Sequence, residues 1–163
     1  MDTPKTILLL EDEAATQHAI RTTLRSKLLN PVSILETAGE VLDYLAGRGV
    51  FADRTIYPFP LLLIVDVKVS DQSGLEVIPW CRDYYDAGVK ALPVVVLTHL
   101  LDTAIFRDVY SLGADGFFSK PFDYNEFDEW VAGCKRLRMK VIPGGRYIDS
   151  VLDAGPSVRE LGE

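Results

Sequence analysis

The sequence predicts an α/β fold: a doubly wound, five-stranded parallel sheet in the flavodoxin-like order 2-1-3-4-5, with helices on both faces. Three observations predict it. Five short apolar runs alternate with five helix-period segments over about 140 residues, the pattern of units that build a parallel sheet. The middle run, Leu61 to Val65, is apolar without interruption, as a strand buried on both faces must be. Four of the runs end in polar residues, and in open sheets of this kind ligands bind at the carboxyl ends of the strands. Right-handed crossovers then leave few arrangements open.

The chain has 163 residues, enough for one domain with a proper core. Its mean hydropathy of +0.11 fits a globular, soluble protein, and no apolar run approaches the roughly 20 residues of a membrane helix. The net charge of -7, with no basic stripe, argues against nucleic-acid binding, which needs clustered cations to neutralise phosphates. Cys81 and Cys134 lie far apart without metal-ligand spacing and are expected as core thiols. The first residues lack the features of a signal peptide, so a cytoplasmic location is expected.

Thr6 to Leu10 reads as the first strand, closing on Glu11, Asp12 and Glu13. Ile20, Leu24 and Leu28 then mark a helix that Asn30-Pro31 stops. Val32 to Leu35 is the second strand. Thr37 and Glu40 form a capping box that opens a helix through Val41, Leu42 and Leu45, ending near Gly47. The connection from Val50 to Pro60, rich in aromatics and prolines, reads as a loop packed on the surface. The central strand follows and ends in Asp66. Ser73 and Glu76 match a second capping box, with Val77, Ile78 and Cys81 facing inward and Pro79 falling past the first turn. Val94 to Leu97 is a β-branched strand ending at Thr98 and His99. Asp102 caps a helix bearing Ile105, Phe106, Val109 and Leu112, terminated by Gly113. Phe117 to Ser119 is the last strand, ending in Lys120-Pro121. Asp123 and Glu126 open the final helix, with Phe127, Val131, Cys134 and Leu137 inward, fading near Lys140.

Strands one, three, four and five therefore bring Glu11 and Asp12, Asp66, Thr98 and Lys120 to one edge. Three carboxylates in one cleft require a compensating cation, and oxygen ligands suit Mg²⁺. Such a site suits phosphoryl transfer, with Asp66 as in-line acceptor, Lys120 neutralising charge and the Thr98 hydroxyl bonding a phosphoryl oxygen. Taken singly, each residue has an ordinary reading: a turn Asp, acids at a helix start, a capping Thr, a surface Lys. The set at successive strand ends is what carries the assignment.

Together, Ile7-Leu-Leu-Leu-Glu-Asp-Glu13, Leu63-Ile-Val-Asp66 with Ser73-Gly-Leu-Glu-Val77, Val94-Val-Val-Leu-Thr98, and Leu112-Gly-Ala-Asp-Gly-Phe-Phe-Ser-Lys-Pro-Phe122 resemble a response-regulator receiver domain over residues 5 to about 138. The resemblance implies Glu11, Asp12, Asp66 and the Lys68 backbone carbonyl as metal ligands. It further implies Asp66 as phosphoacceptor, Thr98 as the switch hydroxyl, Phe117 as the switch aromatic and Lys120 as the phosphate partner. A histidine kinase or phosphotransfer protein is then the donor. The surface of the last two helices and the strand between them meets a downstream protein, and self-association into a homodimer stays open. Phe106, Tyr110, Phe118, Tyr124 and Trp130 belong to that surface. Three positions depart from the family pattern: Lys68, Ser70 in place of a usual Pro, and His99 where small residues are usual. On this reading residues 1–140 are the receiver domain, and 141–163 a tail or truncated linker too short for a helix-turn-helix effector, so output passes through another protein. Such a domain is a signalling protein, with no enzymatic role beyond its own phosphoryl transfer and dephosphorylation.

An aspartyl-phosphate phosphatase would need a second Asp where Lys68 stands. A flavin-binding module would need a neutral phosphate cradle where Glu11-Asp12-Glu13 stands. The alternative that survives is a receiver-like scaffold that binds a partner without phosphorylation.

Overall fold

A computed structural model describes residues 3–67, 73–98 and 103–151. The elements are β1 (Ile7–Leu10), α1 (Ala14–Lys27), β2 (Val32–Leu35), α2 (Ala38–Ala46), β3 (Leu62–Val67), α3 (Val77–Asp83), α4 (Ala87–Lys90), β4 (Val94–Thr98), α5 (Thr103–Ser111), β5 (Gly116–Ser119), α6 (Tyr124–Gly133), β6 (Leu137–Ile142) and β7 (Gly145–Ser150). Strands β1 to β5 form one parallel sheet in the order β2-β1-β3-β4-β5, as predicted.

The alternation of side chains along each strand divides the core in two. Leu8, Leu10, Leu63, Val65, Val94 and Val96 meet α2, α3, α4 and α5 through Val41, Leu45, Ile78, Cys81, Val89 and Val109. Ile7, Leu9, Leu62, Ile64, Val95 and Leu97 meet α1 and α6 through Ile20, Leu24, Phe127 and Val131. Strands apolar at every position follow from this: both parities are covered.

Helix α2 begins with the expected capping box, Thr37 accepting from the Glu40 amide and the Glu40 carboxylate accepting from the Thr37 amide. It ends at Gly47 in the left-handed region, φ 69. The Arg54 guanidinium then donates to the carbonyls of Tyr44, Leu45 and Tyr57, fastening the aromatic connection onto the helix end.

Three expectations are corrected. The stretch Ser73–Glu76 is a 3₁₀ turn, and regular helix starts only at Val77. Pro79 is thus inside the first turn, where an absent N–H leaves no bond unmade. Gly74 allows this turn to lie against the strand: a Cβ there would stand 3.1 Å from Val65 Cγ1 and 3.4 Å from the Asp66 carbonyl. A further short helix, α4, capped by Asp86, lies between α3 and β4.

The third correction is the largest. The last helix does not run to Lys140; it ends at Gly133, and residues 137–150 form an antiparallel hairpin paired from Leu137↔Ser150 to Ile142↔Gly145. The boundary expected at residue 140 falls inside β6. The hairpin packs on the α1 and α6 side through Leu137 and Ile148. Buried Asn30 fixes it there, donating to the Lys5 and Ile148 carbonyls (2.8 and 2.9 Å) and accepting from the Ile148 amide (2.7 Å). The Asp102 cap lies outside the described residues.

Candidate functional site

The same alternation that splits the core selects which polar residues meet. Glu11 continues the parity of Ile7 and Leu9, Asp66 that of Leu62 and Ile64, and Lys120 that of Phe118, all on the α1 and α6 side. Asp66 lies within β3, in register with Leu97, instead of just past the strand's end. The Lys120 amide donates to the Thr98 carbonyl (2.8 Å), so the chain leaving β5 is held against β4 with its side chain directed along the edge.

There the Lys120 ammonium donates to Asp66 Oδ2 at 2.5 Å and stands 3.5 Å from Glu11 Oε2. The three side chains are 6%, 2% and 0% exposed respectively, so this is an ion triad in a low-dielectric interior. The remaining oxygen of Glu11, Oε1, accepts from the Glu13 amide at 2.9 Å. Asp66 Oδ1 differs: it is buried and has no hydrogen-bond partner among the described residues. A buried acceptor left unpaired costs about 1–3 kcal/mol, more for a charged group. Two carboxylates against one ammonium also leave one negative charge uncompensated.

Asp12, the residue after Glu11, is exposed. Among the described residues no three His, Cys, Asp or Glu side chains are grouped to hold a metal ion; Lys120 occupies the space between Glu11 and Asp66. The predicted convergence therefore holds for Glu11, Asp66 and Lys120. Asp12 borders it. Lys68, Ser70 and His99 lie outside the described residues. The donor set still suits a hard cation, because the orphaned Asp66 oxygen and the surplus negative charge call for one.

Thr98 and Phe117 lie on the other parity. Thr98 continues Val94 and Val96 and is 1% exposed. Phe117 is in register with Val96 and packs, half-buried, against the α5 side of the core. The acidic triad and the hydroxyl–aromatic pair thus flank the sheet edge from its two faces. Beside the triad, Ala15, Thr16, Ala19, Thr23, Pro121 and Phe122 line an apolar groove of about 350 Å³ that reaches Lys120.

Comparison with known proteins settles the family. A family model described as the response regulator receiver domain matches residues 7–132. The chain belongs to that family. It is 30% identical over 131 residues to the response regulator Rre1 of Synechocystis sp., which covers 80% of this chain and 52% of that one. It is 25% identical over 142 residues to the response regulator Rcp1 of the same organism, covering 85% and 92%. Among solved structures, the bacteriophytochrome response regulator RtBRR is 29% identical, with a TM-score of 0.72 over 86% of this chain and 82% of that one. The chain spans about half the length of several curated relatives it matches, whereas Rcp1 is matched nearly whole. Among the described residues no helix is long and apolar enough to cross a membrane.

Two features of this receiver domain were not read from the sequence. Asp115, before β5, is gripped at the opposite end of the sheet by Arg82 (2.7 Å), Arg136 and the Val94 amide (2.8 Å). Its carbonyl accepts from Trp130 Nε1 at 2.9 Å, which is why residue 116 is Gly: a Cβ there would be 2.7 Å from that nitrogen. The signal in the sequence is a polar residue at the start of a strand instead of its end. Gln17 is the other; its amide reaches back to the Glu11 carbonyl.

Proposed function

We propose that this receiver domain is a phosphoacceptor. Asp66 takes a phosphoryl group from the phosphohistidine of a histidine kinase or phosphotransfer protein, with Mg²⁺, and the α5-β5-α6 surface then engages a downstream protein. The observation that carries this reading is the difference between the two Asp66 oxygens. Oδ2 is held by Lys120 at 2.5 Å, which fixes the carboxylate, while Oδ1 has its lone pairs uncommitted. A nucleophile needs that combination: fixed orientation and a free electron pair.

In the transfer Oδ1 forms a bond to phosphorus as the phosphorus–nitrogen bond breaks in line. The imidazole leaves with the electron pair and takes up a proton. Lys120, anchored on Glu11 and Asp66, offsets the charge of the arriving phosphoryl oxygens. Glu11, Asp12, Asp66 and the Lys68 carbonyl would hold the cation, whose contribution is to neutralise those oxygens. The apolar groove beside Lys120 suits an amphipathic helix of the donor. Once Asp66 is modified, the Thr98 hydroxyl bonds a phosphoryl oxygen and Phe117, on the same face of the neighbouring strand, turns toward the space released. Relatives named as response regulators support the reading.

The test is intact-mass measurement after incubation with Mg²⁺ and a small acyl phosphate. Gain of one phosphoryl group in wild type and none in Asp66→Asn is expected. An unmodified wild type, under conditions that label a control receiver, would favour the scaffold that binds its partner without phosphorylation.

A further inference from the structure

The β6–β7 hairpin meets the receiver core along two sides that are bonded differently. Toward α1 and β2 it is fixed: Asn30 bonds Lys5 and Ile148, and the Arg146 carbonyl accepts from the Leu29 amide at 2.9 Å. Toward α6 the hydrogen bonding runs through the Arg146 side chain, whose Nη2 donates to Asp128 Oδ1 at 2.7 Å. The Tyr124 hydroxyl, on the first turn of α6, is buried beside the same guanidinium, which acts on it electrostatically. Yet neither Tyr124 Oη nor Arg146 Nε makes a hydrogen bond of good geometry with any described residue. A buried N–H and a buried oxygen thus lie beside each other without being joined, and each bears the cost of burial without a bond.

Tyr124 stands four residues after Lys120, the cation of the acidic triad. Between them lies Phe122, whose ring packs on Phe127 at 5.5 Å, as the Tyr124 ring does at 6.1 Å. Phe127 is fully buried, so a displacement of Phe122 is passed on to the first turn of α6 instead of being absorbed. We propose that the Tyr124–Arg146 junction is a latch that phosphorylation closes: as Lys120 turns from its carboxylates to the phosphoryl oxygens, the first turn of α6 shifts against the hairpin and Arg146 Nε–H donates to Tyr124 Oη. The closed form satisfies two atoms that the open form leaves short. The two arrangements therefore differ by a discrete bond, as a two-state element must. The hairpin tightens onto the core and carries the state of Asp66 to a segment beyond residues 7–132, the stretch matched by the family model. This inference rests on the phosphoacceptor reading above and extends it to the hairpin.

The test is amide exchange in the full chain, with Mg²⁺ alone and with Mg²⁺ plus an excess of a small acyl phosphate, the labelling of each sample being read by intact mass. Two variants accompany the wild type. Tyr124→Phe removes the hydroxyl and keeps the ring that packs on Phe127 and lies 5.9 Å from Lys27 Nζ. Arg146→Lys keeps a cation for Asp128 and removes the Nε–H donor. In labelled wild type, exchange at residues 145–148 is expected to slow about tenfold, the scale of one hydrogen bond to a charged group. In both variants, compared at full labelling, the rate there is expected to be the same with and without the phosphoryl group. Labelled wild type with unchanged exchange at 145–148 overturns the latch and leaves the phosphoacceptor reading standing, and so does slowing that persists in either variant. A wild type that takes up no phosphoryl group overturns that reading, and this inference with it.

Discussion

Two aspartates at opposite ends of the same sheet show how differently one side chain can be used. Asp115, where β5 begins, has every acceptor occupied: Arg136 on one carboxylate oxygen, Arg82 and the Val94 amide on the other, Trp130 on its carbonyl. Asp66, near the end of β3, is the more buried of the two and the less satisfied, with one oxygen on Lys120 and the other unpaired. A saturated carboxylate can only hold things together. An unsaturated one, buried at an energetic cost, is poised to accept something new. Asn30 repeats the contrast at the start of β2, where its amide is matched in full by Lys5 and Ile148. Polar groups close off the rim at Asp115, whereas at the other rim one oxygen of Asp66 has no hydrogen-bond partner among the described residues.

The sharpest way to break this comparison is to remove each carboxylate in turn. Asp66→Asn should abolish phosphoryl labelling while changing stability by no more than about 1 kcal/mol, because it removes an uncompensated charge along with an ion pair. Asp115→Ala should do the reverse. With two arginines deprived of their partner and the Val94 amide unpaired, urea unfolding should show a loss of about 3 kcal/mol, and labelling at Asp66 should persist in whatever remains folded. Equal effects of both substitutions on labelling would mean that the two rims do not divide structure from chemistry.

Most of the working rim was legible in the sequence. A polar residue after an unbroken apolar run is conspicuous, and the parallel order brings four such ends to one edge, so the sequence alone groups Glu11, Asp66 and Lys120. The placement of Asp12 outside the triad was not legible, since adjacent residues alternate faces and a charge count treats them alike. The closing rim went unread because its contacts join distant segments: Arg82 to Asp115 across 33 positions, Asn30 to Ile148 across 118. The hairpin did leave a trace. Leu137, Met139 and Val141 alternate with Arg138 and Lys140, a period of two, and Pro143-Gly144-Gly145 follows. Reading Cys134 and Leu137 as a continuing helix face took a spacing of three for a helical period when the helix had already stopped at Gly133.

Asn30 sharpens the comparison with a smaller effect. Its carboxamide is the buried link between the β2 corner and the hairpin that lies beyond the residues 7–132 matched to the family. Asn30→Ala leaves the Ile148 amide and carbonyl without these bonds, for a loss of about 2 kcal/mol. Amide exchange should rise first in residues 137–150, ahead of the five-stranded sheet. Uniform acceleration over the whole chain would show that the hairpin and the sheet unfold as one unit.

Cys81 and Arg82 offer the finest division, being neighbours with opposite surroundings. The Arg82 guanidinium reaches the closed rim, while the Cys81 thiol is buried in the core, where burial pushes its pKa from 9.0 up to about 11, against a smaller opposing pull from Arg82. In the unfolded chain the thiol ionises near pH 9, whereas in the folded chain it keeps its proton to about 11. The unfolded state therefore loses its proton first, and stability contributed through this group falls as pH rises from 9 to 11 and is unaffected below. The difference in urea midpoint between wild type and Cys81→Ala isolates it from other groups that ionise at alkaline pH, such as Tyr44, whose pKa burial also raises. That difference should be constant from pH 6 to about 8.5 and narrow above 9. In the native protein at pH 8 the Cys81 thiol should resist disulfide reagents until denaturant is added. Rapid labelling of Cys81 in the folded chain, or a midpoint difference independent of pH up to 11, would place the thiol in contact with water and α3 looser on the sheet than its packing describes.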